Sequence, residues 1–203
     1  MKLELHLYSD LHGRLDICTK IVQRAAQADV VVIAGDIGNL RLDLEAPIKL
    51  LSAIQKPVVL VPGNSESQEE LREACRNWKT AEVLHGGSAT IAGLTFFGLG
   101  GGIPTTPFGD WSWDFSEQEA ASLLDGCPPG CVLVTHSPPW GALDDSPPGR
   151  HLGSRAIRAA VERLAPRLVV CGHIHSRAGQ RALIGRTPVV NAGPHGAEMA
   201  LET

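Results

Sequence analysis

Two motifs near opposite ends of the chain carry matching sets of donors: Asp10-Leu11-His12 and His173-Ile174-His175 each place two side chains around one intervening residue. Between them stand Gly35-Asp36, Gly63-Asn64 and Thr135-His136. Together these segments supply two carboxylates, four imidazoles and one carboxamide. Oxygen and nitrogen donors in this mixture suit a pair of divalent ions such as Mn, Fe or Zn better than they suit a thiolate site or an all-oxygen calcium cage. In two-metal hydrolases a carboxylate commonly bridges ions about 3.5–4 Å apart and helps to present water to phosphorus; Asp36 is the candidate bridge. Taken singly, each residue has a plainer reading. Asp10 and Asp36 suit a turn or a helix cap, His136 a loop, and Asn64 a left-handed turn after glycine. Their joint occurrence at five strand ends favours a ligand set, since independent turn residues have no reason to share one chemistry.

The elements that must position these donors follow from the apolar patterning. Short apolar runs at 3–9, 30–34, 57–61, 132–134 and 168–171 read as strands, the second apolar enough for burial on both faces. Amphipathic segments at 15–27, 43–54 and 154–164 read as helices. Ser67-Gln68-Glu69-Glu70 and Ser116-Glu117-Gln118-Glu119 have the capping-box spacing and open two more, the first running to about Trp78. Residues 81–98 read as successive strands with hairpin-like breaks at Gly86-Gly87 and Ala92-Gly93, and 182–191 as a closing hairpin broken at Gly185. A Gly/Pro/Trp-rich loop spans 100–115 and a Pro-rich loop 137–153. Strands and helices in alternation give an α/β fold, in which ligands collect where strands leave the sheet at their C-terminal ends. Every donor above lies at such an end.

Composition sets the frame. The 203 residues, 43% hydrophobic, suit one domain over 1–203 with a substantial core. A formal net charge of −4 without a Lys/Arg cluster argues against binding long nucleic acid, while a metal pair would supply the positive charge that a small phosphoester or nucleotide-like substrate needs. Cys18, Cys75, Cys127, Cys131 and Cys171 are odd in number and form no CxxC pair, which suits a reducing, cytoplasmic location. The chain opens on an alternating strand pattern rather than a leader, and it has no apolar run of membrane-spanning length, so no membrane is expected. Oligomeric state is not legible.

The blocks Asp10-Leu11-His12-Gly13, Gly35-Asp36, Gly63-Asn64, Thr135-His136 and Gly172-His173-Ile174-His175, in this order over nearly the whole chain, resemble the signature of calcineurin-like metallophosphoesterases. Thr135-His136-Ser137-Pro138-Pro139, His151-Leu152-Gly153-Ser154-Arg155-Ala156 and Asn191-Ala192-Gly193-Pro194 are similar to the phosphodiesterase-like branch. The resemblance implies a sandwich of two mixed β-sheets flanked by helices (α/β/β/α), with two divalent metal ions at the sheet edge. It implies that Asp10, His12 and His175 hold the first ion, that Asp36 bridges, and that Asn64, His136 and His173 hold the second. The implied activity is a metal-dependent phosphodiesterase that works by in-line attack of a metal-bridging hydroxide, with Asp36, Asn64 and His136 acting through the metals.

One position departs from that pattern. The family usually continues Gly-Asn-His-Asp or Gly-Asn-His-Glu, the histidine protonating the leaving group, whereas this chain reads Gly63-Asn64-Ser65-Glu66. A serine hydroxyl is no general acid near neutrality, and losing that step is worth about 10²–10⁴-fold. Three consequences stand open: substrates with good leaving groups, a proton supplied by His151, or a metal-retaining binding or scaffold module with weak catalysis. Glu66 is then expected only as a helix-entry residue favoured by the dipole. Arg150 is a candidate contact for substrate. Phe108, Trp111 and Trp113 are placed either to stack a nucleobase at the mouth of the site or to pack the loop. Outside the motifs, His6 reads as a core-edge residue and His85 as a turn residue, with a supporting role open for His195.

Overall fold

A computed structural model of the chain describes residues 1–146 and 149–203. Two sheets face one another. The first has the order β13-β1-β2-β3-β4, built from β1 (Lys2–Tyr8), β2 (Val30–Ala34), β3 (Val58–Val61), β4 (Ala81–Val83) and β13 (Ala197–Glu202). The second has the order β11-β12-β10-β7-β6-β5, from β5 (Gly87–Ile91), β6 (Leu94–Leu99), β7 (Val132–Thr135), β10 (Leu168–Cys171), β11 (Arg181–Ile184) and β12 (Thr187–Asn191). Central pairs such as β1–β2, β2–β3, β6–β7, β7–β10 and β10–β12 are parallel, while β13, β5 and β11 add antiparallel edges.

Side-chain alternation along the strands builds three apolar layers. Leu5, Leu7, Val32, Val59, Phe96, Val134 and Val170 point between the sheets. On the outer face of the first sheet, Val31, Ile33 and Leu60 meet α1 (Leu15–Ala25), α2 (Glu45–Leu51) and α3 (Gln68–Cys75). On the outer face of the second, Phe97, Leu133 and Val169 meet α4 (Glu117–Leu124) and α5 (Arg155–Leu164). In α5 the buried residues Ile157, Ala160, Val161 and Leu164 recur at the spacing of one helical face. A fully buried Val, Leu or Ile contributes about 1.5–3 kcal/mol, so this α/β/β/α stack is what holds the strand ends in place.

Both expected capping boxes are formed. Ser67 accepts from the Glu70 amide and Ser116 from the Glu119 amide, with each glutamate reaching back to the cap. Elsewhere the structure corrects the sequence reading. Gly86-Gly87 is no hairpin: β4 pairs parallel with β3 in the first sheet and β5 antiparallel with β6 in the second, so the chain changes sheets there. The Ala92-Gly93 break is a hairpin, with both residues left-handed. The Pro-rich loop contains a small antiparallel ribbon, β8 (Asp145–Ser146) with β9 (Arg150–His151); Pro147 and Pro148 lie outside the described residues. The helix expected over 43–54 shortens to α2. Strand β13, which the patterning did not reveal, closes the first sheet against β1. None of the described helices is long and apolar enough to cross a membrane.

Candidate metal centre

Every donor motif lies just beyond the C-terminal end of a parallel strand: Asp10 and His12 after β1, Asp36 after β2, Asn64 after β3, His136 after β7, and His173 and His175 after β10. Backbone hydrogen bonds lace these ends together, with the Asp10 amide donating to Gly35 O at 2.9 Å, the His12 amide to Asp36 O at 2.9 Å and the Gly172 amide to His136 O at 3.0 Å. The turns are tight. Asp10, His12, Asp36 and His173 all adopt left-handed φ of 57°, 47°, 52° and 65°, a conformation that costs non-glycine residues energy and clusters at functional sites. Close approach also explains Gly63, where a Cβ would stand 2.0 Å from Asp36 Oδ1.

The donor atoms converge. Donor atoms of Asp10, His12 and His175 fall within 4.8 Å of one another, and so do those of Asp10, Asp36 and His136. His12 Nε2 and His175 Nε2 are 3.0 Å apart, and His175 Nε2 is 3.6 Å from Asp10 Oδ1. The two oxygens of Asp36 face different imidazoles, Oδ1 lying 3.4 Å from His136 Nε2 and Oδ2 3.7 Å from His12 Nε2. Asn64 Oδ1 is 3.1 Å from His136 Nε2. Two donors each about 2.1 Å from a shared ion stand roughly 3–3.5 Å apart, so these spacings fit coordination. The His173 ring faces that of His136, centroids 5.0 Å apart at 67°, but belongs to neither trio. Asp10, expected on one side only, belongs to both.

The electrostatics ask for a cation. His136 Nδ1 lies 2.9 Å from Ala34 O and must donate its proton there, which turns the Nε2 lone pair toward the oxygens of Asp36 and Asn64. Burial alone would lower its pKa, yet the fields of Asp36 and Asp10 raise it. Burial would likewise raise the Asp10 carboxyl, but hydrogen bonding with His175, the His136 field and the Ser9 hydroxyl bring it down to about 2. His175 is raised by its bond to Asp10. Burial and then His136 push His173 down to about 4, and burial also lowers His12. A divalent ion satisfies the same oxygens and lone pairs with no imidazole protonated.

Supporting residues appear that sequence reasoning passed over. Glu66, expected merely at a helix entry, is buried and accepts three backbone N–H bonds, from Ile37 at 3.2 Å, Gly38 at 3.1 Å and Gly63 at 2.8 Å. It therefore clasps the loop carrying Asp36 to the loop carrying Asn64. Burial and the nearby Asp36 push its pKa up to about 7. Its place directly after Ser65 in the motif was the available signal. Ser9 Oγ donates to Asp10 Oδ2 and accepts from the Gly193 amide, and Asn191 Nδ2 donates to the carbonyls of Gly172 and Ile174, holding the turn that bears both histidines.

The remaining candidates separate. His151 Nδ1 lies 2.8 Å from Oδ1 of the buried Asp144, and Arg177, two residues beyond His175, pairs with Asp145 on β8. Arg150 is exposed on β9. Trp113 turns inward against His85 and Phe115, centroids 4.8 Å away in each case, while Phe108 and Trp111 stack on one another near His173. His6 is buried, and the His195 carbonyl accepts a hydrogen bond from Arg24. A cavity of about 1090 Å³ lies between α2 and α3, lined by Leu44, Lys49, Glu70 and Trp78. Ser65 and Glu66 also line it, and none of the seven donors does.

Two sheets carrying such an edge define a metallophosphoesterase-type fold. The chain belongs to the calcineurin-like phosphoesterase family, whose model matches residues 5–177; the family implies metal-dependent phosphoester hydrolysis. The chain is 33% identical over 141 residues to human metallophosphoesterase domain-containing protein 1, covering 66% of this chain and 39% of that protein. It thus spans well under half the length of that relative. Among solved structures it resembles TT1561 of Thermus thermophilus, with a TM-score of 0.76 at 19% identity over 95% of this chain and 90% of that one. It also resembles the phosphopantetheinyl hydrolase PptH of Mycobacterium tuberculosis, with a TM-score of 0.60 at 15% identity over 93% and 88%.

Proposed function

We propose that the chain is a dinuclear metal-dependent phosphodiesterase acting on a small phosphoester, in which Asp10, His12 and His175 would hold one ion, Asn64, His136 and His173 would hold the other, and Asp36 would serve both. The observation that carries this reading is the carboxylate of Asp36, whose two oxygens address two different imidazoles. Divalent ions in this donor set supply the charge that activates water and stabilises the phosphoryl oxygens; Mn, Fe and Zn all suit the donors.

The protein's part is orientation. Ala34 O sets the tautomer of His136, and Asn64 is steadied by a 3.1 Å bond from its Nδ2 to Ser112 Oγ. Glu66 keeps the Asp36 and Asn64 loops in register, and the Ser65 amide donates to Asp36 Oδ1 at 2.9 Å. With serine at position 65, we assign the enzyme to substrates whose leaving group departs without strong help. His151, oriented by Asp144, is the proton donor where one is needed. A scaffold module has no use for seven donors, four of them held in left-handed turns, which favours catalysis.

The test is a screen of Mn-, Fe- and Zn-reconstituted protein against nitrophenyl diesters, cyclic nucleotides and phosphomonoesters. Diester turnover that falls at least about 100-fold in Asp36→Asn is the expected result. Turnover untouched by that substitution rejects the two-metal mechanism. A metal-loaded protein inactive on every activated diester points instead to the scaffold reading.

A further inference from the structure

The aromatic residues of the 100–115 loop do two different jobs. Trp113 and Phe115 are packed inward with His85, but Phe108 is 50% exposed and lies parallel to Trp111, ring centroids 5.5 Å apart and planes 12° from each other. The Phe108 ring centroid is 6.4 Å from that of His173, at 65°. The pair therefore stands beside the candidate metal centre with aromatic surface still open to solvent.

The loop is built to hold that position. Gly109, with φ of 86°, turns the chain between the two rings, and the Ser112 amide closes the turn on Gly109 O at 3.0 Å. Asp114 accepts from the Thr106 amide at 2.7 Å and from Ser112 Oγ at 2.7 Å. Ser112 in turn accepts from Asn64 Nδ2, and the Trp113 amide donates to Asn64 O at 3.0 Å, so the loop is tied directly to one of the metal-centre residues.

We infer that Phe108 and Trp111 form a shelf that takes a planar aromatic substituent of the phosphoester bound at the metal centre. The inference rests on the phosphoesterase reading and deepens it by naming a substrate class. A ring pair already stacked and anchored loses little side-chain freedom when a third ring is added. The missing imidazole at Ser65 points the same way, because an aryl oxide leaves more readily than an alkoxide without a general acid. An aryl ester and a nucleotide both present a planar aromatic ring to the shelf, but only the aryl ester also carries an aryl oxide leaving group.

Calorimetric binding to the Mn-loaded protein separates the cases, using inorganic phosphate, methylphosphonate, phenylphosphonate and adenosine 5′-monophosphate. Phenylphosphonate should bind roughly tenfold more tightly than methylphosphonate, the scale of one stacking contact. Phe108→Ala should erase that preference and Phe108→Tyr should keep it. If adenosine monophosphate weakens in step with phenylphosphonate, the shelf accepts nucleobases; if phenylphosphonate alone weakens, its ligands are simple aryl esters. Equal binding of the two phosphonates by the parent, or an equal loss for methyl and phenyl compounds in Phe108→Ala, overturns the shelf. Failure of the Mn-loaded parent to bind any of the four overturns the metal-centre reading, and the shelf with it.

Discussion

His12 and His175, at opposite ends of the chain, bring their Nε2 atoms to 3.0 Å from one another. Two imidazole nitrogens meet so closely only when a proton or a metal ion lies between them. With Asp10 completing the trio, removal of one member should empty one position more than the other. His175→Asn is expected to lower bound metal from about two equivalents toward one, and Asp36→Asn to weaken both positions, as read by elemental analysis after dialysis. Unchanged stoichiometry in both variants would sink the assignment.

Glu66 makes a stability prediction. Its carboxylate satisfies three backbone N–H groups that have been taken out of water, and each buried donor left unpaired costs about 1–3 kcal/mol. Glu66→Ala should therefore lower unfolding free energy by roughly 3–5 kcal/mol. Glu66→Gln, which keeps an acceptor oxygen and resembles the protonated acid, should cost about 1 kcal/mol. Urea midpoints of the metal-free proteins measure both, and a harmless alanine would show that the clasp contributes little.

Restoring an imidazole next to Asn64 tests the leaving-group argument. Ser65→His should raise turnover of alkyl esters by about 10–100-fold while leaving 4-nitrophenyl esters within about threefold, since a stable phenolate needs little protonation. A uniform gain or loss across a leaving-group series would count against it. His151→Ala should slow the alkyl esters of the parent selectively if Asp144 and His151 supply the proton.

The metal-free protein should also respond to pH through His173. Its folded pKa of about 4 lies below the ordinary 6.5, so the folded state resists taking up a proton that the unfolded chain accepts. The stability from the neutral ring is present above pH 6.5 and is lost as pH falls toward 4, by roughly 2–4 kcal/mol in full. His173→Asn should flatten this part of the profile. Metal loading should steepen it, because protons then compete with the ion for the same nitrogens. A parent and variant running parallel from pH 7 to 4 would contradict it.

The amino-acid order by itself carried the strand runs, both capping boxes and all seven donor types, because those depend on local periodicity and on chemistry written into single residues. It could not show the sheet change at Gly86-Gly87 or the closing strand β13, since pairing partners are chosen by packing across the whole fold. Nor could it reveal that Glu66 is a clasp rather than a helix-entry residue, that Asp10 faces both trios, or that Trp113 turns inward while Phe108 and Trp111 stay open. Those roles rest on angstrom-scale proximity between segments far apart in the chain. Only the tertiary structure, by stacking two sheets and aligning their strand ends, decides such proximity.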